Sequence, residues 1–519
     1  MKKIQSICIV ALLAAFALTS CNYTDLDPTD MVGPDKAFGN VQNVHKAVVG
    51  IYGKASLRSK LAVTEYIADD CVQGGDSGGA GTDLAGWVYT ATSGDVSGLW
   101  AHYYGIINQA NRVLNYGPKV KPLNAEEETS LQVSLGTAYF FRAYAHFELL
   151  CFFSDFSNDD ALGIPYVSHY HVVGNPPRDK VGACYEQIMT DLTRAYDMLT
   201  VAAPDLAADN KATNSTAYIS QAAVDALRAR VSLYHKKYTH AYIYASNALR
   251  AVGIAKLGEV QNLWLDKSNA GTIFKLSRPA GSSTIGTLFV GRDYSSVFRP
   301  SNELRAQFSE KDVRGPVFFE YGRDRAGAPV WMVTKWFGDA SDIGRLDEKM
   351  FRAEEMQLIA IEALMMRENP DLAEANRLLN ELRAERIEGY TAQTYPGLLA
   401  EIIKERRCEL VWEGHRLFDA RRLKVTMTRE GKTISADDYR DAADSAGRNR
   451  RQLGHLGERP ELRILTDFKT ENDEKDNIYA FSGALLCSCA DESRISCRPG
   501  RHRRSAASAP RRRPTRRRS

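Results

Sequence analysis

"SQAAVDALRARVSLYHKKYTHAYIYASNALRAV", residues 220–252, carries apolar side chains at three-and-four spacing in two runs and reads as a helix–turn–helix. Ala222, Ala223 and Ala229 stand at positions where two helices would cross, and small side chains there let the helices approach closely. A second pair repeats the device. "RAEEMQLIAIEALMMR" (352–367) and "DLAEANRLLNELRAERI" (371–387) are separated by Asn369-Pro370, with Ala360, Ala363 and Ala375 at the contact positions.

Helix pairs of this kind are built in the manner of tetratricopeptide repeats, although the copies diverge too far to keep a strict period. More amphipathic helices lie outward from the pairs. A helical pattern runs from Ala37 to about Leu57. "LWAHYYGIINQANRVLNY" (99–116), "SLGTAYFFRAYAHFELLCFF" (134–153) and "ACYEQIMTDLTRAYDML" (183–199) follow. "LLAEIIKERRCELVWEGHRLFDARRL" (398–423) reads as one strong final helix. Two stretches break the pattern. Residues 69–87, "DDCVQGGDSGGAGTDLAGW", fit no periodic element and read as a long loop. Residues 255–345 are rich in Gly, Ser, Asn and aromatics, and read as irregular loop and short strand inserted into the helical frame. The fold class expected is mainly α, a tetratricopeptide-like helix-pair scaffold carrying a loop-rich, short-strand insertion.

The N-terminus has Lys2 and Lys3, an apolar run of roughly 12–15 residues, then "LTSC" at 18–21: a secretion signal over 1–20, too short to span a bilayer, ending in a lipobox whose Cys21 would be acylated. Residues 21–36 read as an acidic tether, and no later stretch is apolar enough to cross a membrane. The net charge of +3 is misleading. The tail 482–519 holds eleven Arg against Asp491 and Glu492. Subtracting its +9 and the leader's +2 leaves −8 for the body, which does not read as a nucleic-acid binder. Cys71, Cys151, Cys184 and Cys408 show no metal or disulfide spacing.

Enzyme motifs are missing: there is no H-E-x-x-H, G-x-S-x-G or Walker loop. Asp69-Asp70 beside Glu65 could be imagined as a glycosidase pair, but carboxylates are common on loops. Glu354-Glu355 fit a helix start, where acids favour the dipole. His102, His146, His235, His240 and His415 lack partners at ligand spacing and read as helix residues. The expectation is therefore no metal, no cofactor and no catalysis. Aromatics stand out instead. Trp87 and Tyr89 end the glycine-rich loop; Trp264, Tyr294, Phe298, Trp331 and Trp336 lie in the irregular region. Rings held by loops on a rigid frame could form a stacking platform for sugar C–H faces, or they could fill the core beneath the loops. Trp100 and Trp412 sit in helical patterns and read as core.

These parts resemble the SusD/RagB family, surface lipoproteins of Bacteroidetes nutrient-uptake systems, from the lipobox to about Phe481. Four stretches carry the resemblance: "LWAHYYGIINQANRVL"; "GTAYFFRAYAHFELLCFFSD"; "FRAEEMQLIAIEAL" with "LLNELRAER"; and "IIKERRCELVWEGHRLFDARR". It implies an N-terminal helical region over 37–255 and a C-terminal region over 256–481 that contains the ligand-binding insertion. It also implies a lipid-anchored outer-membrane location facing the surface, a nutrient ligand, usually a glycan and in some members a peptide, and a SusC-like TonB-dependent transporter as partner. A helical scaffold that binds only a protein is the alternative. In the same resemblance Glu405, Arg406, Glu409, Glu413, Arg416 and Asp419 form a helix-linked charge network, and Trp87 and Tyr89 lie where ligand contacts are often placed. The chain departs from the family after Phe481, where cysteine and arginine density jump. The segment 482–519 reads either as the product of a reading-frame shift or as a basic tail for lipopolysaccharide phosphates, disordered in both cases.

Overall fold

A computed structural model describes residues 33–435, except 91–92, 171–175, 201–214, 280–281, 283 and 339–343. Cys21, most of the tether and the arginine-rich tail lie outside the described residues. In chain order the main elements are α1 (Val41–Lys54), α2 (Arg58–Ile67), β1 (Cys71–Gln73), α3 (Gly94–Tyr116), α4 (Ala125–Phe153), α5 (Val181–Met198), α6 (Gln221–Tyr234) and α7 (Tyr238–Ala251). After these come β2 (Thr272–Leu276), β3 (Phe298–Pro300), β4 (Phe319–Arg323), β5 (Pro329–Val333), β6 (Glu348–Arg352), α8 (Ala353–Met366), α9 (Leu372–Ala384), α10 (Leu398–Glu409), α11 (Arg416–Leu423), β7 (Met427–Arg429) and β8 (Lys432–Ile434).

Local chemistry starts these helices. Asn40 and Asn124 accept from the backbone N–H of Asn43 and Glu127, and Ser220 and Asp371 cap α6 and α9 in the same way. Glu126, Glu127 and Glu128 then place negative charge at the positive end of α4. From Leu131 to Cys151 α4 is buried on nearly every side, so it forms the central rod, with α1, α3 and α5 packed around it. Ala223, Ala229, Ala360, Ala363 and Ala375 are all buried, as the helix-pair reading requires, while Ala222 is only half-buried at the margin. α7 packs on both α6 and α8, joining the two helix pairs. The main hydrophobic cluster runs from Val41 of α1 to Met427 of β7, and two small clusters lie among α8, α9 and α10. No helix among the described residues is long and apolar enough to cross a membrane.

The strands form two-stranded antiparallel pairs, β1–β3, β2–β6, β4–β5 and β7–β8. The β2–β6 pair is wholly buried and feeds Arg352 directly into the start of α8. Two expectations need correction. The glycine-rich stretch is not free of regular structure: it contains β1, paired with residues 298–300, and a one-turn helix, Thr82–Ala85. The expected single helix 398–423 is two helices, broken over residues 410–415. Trp412 sits there at φ 59 and Gly414 at φ 83, both left-handed. Groups from outside the segment hold the break in place. Lys335 Nζ donates to the carbonyls of Glu409 and Val411, at 3.2 and 2.8 Å, at the negative end of α10. Trp412 meanwhile donates its indole N–H to Cys71 Sγ at 3.0 Å.

Candidate functional site

The charged motif residues of α10 and α11 are buried, and most of them pair with residues far away in the chain. Glu409 meets Arg314, Arg352 and Arg386; Glu405 meets Arg314 and Arg383; Glu413 meets Arg352 and Lys335; Arg416 meets Asp69. Asp419 pairs within the motif, with Arg406 and Arg422. Burial alone would raise the carboxyl of Glu409, but the guanidiniums of Arg386, Arg352 and Arg314 outweigh it and hold Glu409 well below the usual range. Glu354 does more than favour a helix dipole: it accepts from Arg352, Arg386 and the backbone N–H of Ala255. Residues paired in this way hold distant elements together.

The three carboxylates that could be imagined as a glycosidase pair belong to the same interior. Asp69 is clamped by Arg416 at 2.7 and 2.9 Å, Asp70 by Arg407 at 2.6 Å, and Glu65 accepts from Gly414 N at 2.8 Å. None is accessible to a substrate. Burial, with the charge of Asp70 beside it, pushes Glu65 up to about 8, so it stays protonated at neutral pH. The unfolded chain loses that proton above the ordinary value of 4.5, so this contribution to stability is complete below pH 4.5 and is lost as pH rises towards 8. Glu65→Gln is neutral throughout. Its unfolding free energy should fall less steeply than wild type between pH 5 and 8, by up to about 1.4 kcal/mol per pH unit for one proton. Parallel slopes in urea titrations across that range would show that Glu65 is ionised.

The aromatic candidates divide by burial. Trp264 and Trp336 are 2% and 1% exposed, packed edge-to-face with centroids 5.1 Å apart, and the Trp336 indole donates to Trp412 O at 2.8 Å. Lys335, Lys349 and Arg352 surround Trp264 at 4.4–5.4 Å from its ring centroid. Trp264 is therefore the floor of the charge network with Trp336 packed beside it, and contrary to expectation neither ring presents a face to a ligand. Trp87 is half-buried: its indole donates to Ile67 O at 2.8 Å, and the Arg429 guanidinium covers one face at 4.6 Å. Tyr89 is half-buried against the core, with burial raising its hydroxyl and Arg421 opposing. Trp100 and Trp412 are core, as read. Tyr294 and Trp331 are different. Tyr294 is 46% exposed on a loop at φ 62; Trp331 on β5 lies opposite Tyr321 on β4, which is 60% exposed, with ring centroids 5.2 Å apart.

One carboxylate gathers the segments that carry these exposed rings. Asp76, in the glycine-rich loop, accepts from Ser296 N at 2.9 Å and from Arg325 N at 3.0 Å. It thus ties three segments together: its own loop, the loop bearing Tyr294 and the tip of the β4–β5 hairpin. These two backbone N–H donors hold its carboxyl below the ordinary range. Arg325 also pairs with Asp293. Gly74 makes the approach possible, because a Cβ there would sit 2.0 Å from Ser296 O. Sequence reasoning missed Asp76, Tyr321 and Arg305, whose guanidinium lies 4.4 Å from the Trp331 ring. Alternation along β4 and β5 about the turn "DRAGA" was the signal that could have paired Tyr321 with Trp331. The arrangement offers exposed rings and hydrogen-bonding groups on fixed loops, suited to binding.

A family profile described as "Starch-binding associating with outer membrane" matches residues 44–233, and the SusD family profile matches residues 329–456; together they span more than half of the chain. SusD-like protein P2 of Formosa agariphila is 25% identical over 481 residues, covering 82% of this chain and 91% of its own length. A SusD superfamily protein from Bacteroides thetaiotaomicron superimposes with a TM-score of 0.65 at 22% identity, over 78% of this chain and 96% of that one. A SusD-like carbohydrate binding protein from Bacteroides vulgatus gives a TM-score of 0.63 at 20% identity, over 77% and 89%. The helix-pair scaffold with small two-stranded insertions is the fold of that superfamily, and with both profiles in place the chain belongs to the SusD/RagB family.

Proposed function

We propose that this protein is a surface-facing outer-membrane lipoprotein, anchored through Cys21, that captures an oligosaccharide on its loop cluster and delivers it to a SusC-like TonB-dependent transporter. The observation that carries the reading is the exposed rings of Tyr294 and Tyr321 with the half-buried ring of Trp331, on segments clipped together by Asp76. Sugars stack their C–H faces on such rings, and loops held in place before binding lose little entropy on capture. Two comparisons support the choice of ligand class: a structural neighbour is named a carbohydrate binding protein, and a matching profile is described as starch-binding and associated with the outer membrane. The lipid anchor rests on the lipobox, and the transporter on membership of the family.

Trp331→Ala tests the platform. Titration with the oligosaccharide that quenches wild-type tryptophan fluorescence should show binding weakened by about 1–3 kcal/mol, by analogy with aromatic stacking on bases. The melting temperature should stay near wild type, because the ring is partly exposed. Full affinity in this variant would remove Trp331 from the site.

A further inference from the structure

The buried guanidiniums of Arg230, Arg314, Arg352, Arg386 and Arg416 each face a carboxylate. Arg305 does not. It ends the one-turn helix Asn302–Arg305, and no carboxylate among the described residues lies within ion-pair distance of it. Its guanidinium rests on the Trp331 ring, 4.4 Å from the centroid, and Nη2 donates to Asn302 Oδ1 at 2.7 Å. Nε–H is shielded from solvent and has no acceptor. Burial lowers the Arg305 pKa, and no acidic neighbour acts to raise it. The group is thus partly dehydrated, with part of its donor fork unfilled.

A guanidinium keeps its N–H bonds in one plane, and with Nε shielded the edge of Arg305 left for a ligand is that of Nη1 and Nη2. That edge matches the two oxygens of a carboxylate or sulfate; a single hydroxyl fills only part of it. Beside it Tyr321 leaves 60% of its surface free for the C–H face of a sugar. We propose that Arg305 on Trp331 selects an acidic polysaccharide, its fork binding a carboxylate or sulfate of the sugar while the neighbouring ring stacks on the pyranose. The proposal rests on the glycan-binding reading above and names the class of glycan.

The test is affinity electrophoresis of the full-length protein in native gels cast with polygalacturonate, carrageenan, starch or xylan. The wild type should be retarded by polygalacturonate or by carrageenan, and which of the two retards it distinguishes carboxylate from sulfate. Starch and xylan should leave its mobility unchanged. Arg305→Gln should weaken binding to the retarding polymer at least tenfold, and Arg305→Lys, which keeps the charge and loses the fork, should fall between. The arginine-rich tail is identical in all three proteins, so polyanion binding by the tail cannot produce the difference. Equal retardation of Arg305→Gln and wild type would assign the binding to the tail and overturn the proposal. Retardation by starch or xylan alone would leave the glycan reading standing and remove the acidic preference. No retardation in any gel would remove both.

Discussion

Arg352→Ala should cost about 3–5 kcal/mol of folding stability, the range for breaking a buried ion pair by removing one partner. One guanidinium serves three carboxylates here. Its Nε donates to Glu413 at 2.8 Å, Nη1 to Glu354 and Glu409 at 2.9 Å each, and Nη2 to Glu413 at 2.7 Å and to Glu409 O at 3.1 Å. It lies between β6 and the end of α10, so it fastens the strand insertion to the C-terminal helices. Removal leaves buried negative charge facing only Arg314, Arg386 and Lys335, and burial already lowers Lys335 to about 8 despite Glu413 beside it. The deficit should depend on pH. Glu409 and Glu413 have folded-state pKa values below the ordinary 4.5, so the stability they contribute is present above 4.5 and is lost as pH falls below it. Without Arg352 these carboxyls protonate more readily, and the gap between variant and wild type should narrow from pH 7 to pH 4.5. Arg377 provides the contrast. It pairs with Glu374 and Glu381 on the surface of α9, and Arg377→Ala should cost less than about 1 kcal/mol. Denaturant titrations at both pH values decide the matter; an Arg352→Ala loss as small as that of Arg377→Ala would mean the interior network adds nothing.

The contrast between these two arginines shows what could be read in advance. The helix pairs were legible because burying one face of a helix imposes three-and-four spacing and close crossing imposes Ala223, Ala229, Ala360 and Ala363. These are local requirements written in neighbouring residues. The charge run from Glu401 to Arg422, Glu409 and Glu413 included, was also visible. Their partners were not, because Arg314 and Lys335 arrive from the irregular insertion and Arg352 and Arg386 from the two ends of the preceding helix pair. The break after Glu409 was hidden in part for the same reason: Leu410, Val411 and Trp412 are compatible with a helix, and the Lys335 that binds the carbonyls of Glu409 and Val411 comes from the insertion, although Gly414 at φ 83 was a signal within the segment. β1 escaped notice because three residues carry no period, and its partner strand begins at Phe298. The loop cluster depends on Asp76, whose type says nothing of which backbone N–H groups it will find. A site assembled from three separated segments is legible only once the scaffold has brought them together.

Tryptophan was the residue least legible from sequence, since rings in one irregular stretch have opposite fates, and Trp336→Ala should show this most clearly. The expected loss is about 3–5 kcal/mol, the range for truncating a buried aromatic. The ring is 1% exposed and packs edge-to-face on Trp264, so an alanine leaves a cavity beside the ring on which Lys335 rests. The indole N–H also satisfies Trp412 O, the carbonyl of a residue held in the left-handed region at φ 59. Losing that donor orphans a buried acceptor where the chain turns between α10 and α11. Trp336→Phe, which keeps most of the volume and loses only the donor, should cost about 1–2 kcal/mol, near the net value of one hydrogen bond plus its misfit. Trp331→Ala should lose binding and keep its stability, whereas Trp336→Ala should lose stability and, at temperatures where it remains folded, keep its affinity for the same oligosaccharide. The check is a melting curve and a titration on each variant. Intact melting with abolished binding in Trp336→Ala would place that ring in the ligand site and contradict its buried position beside Trp264.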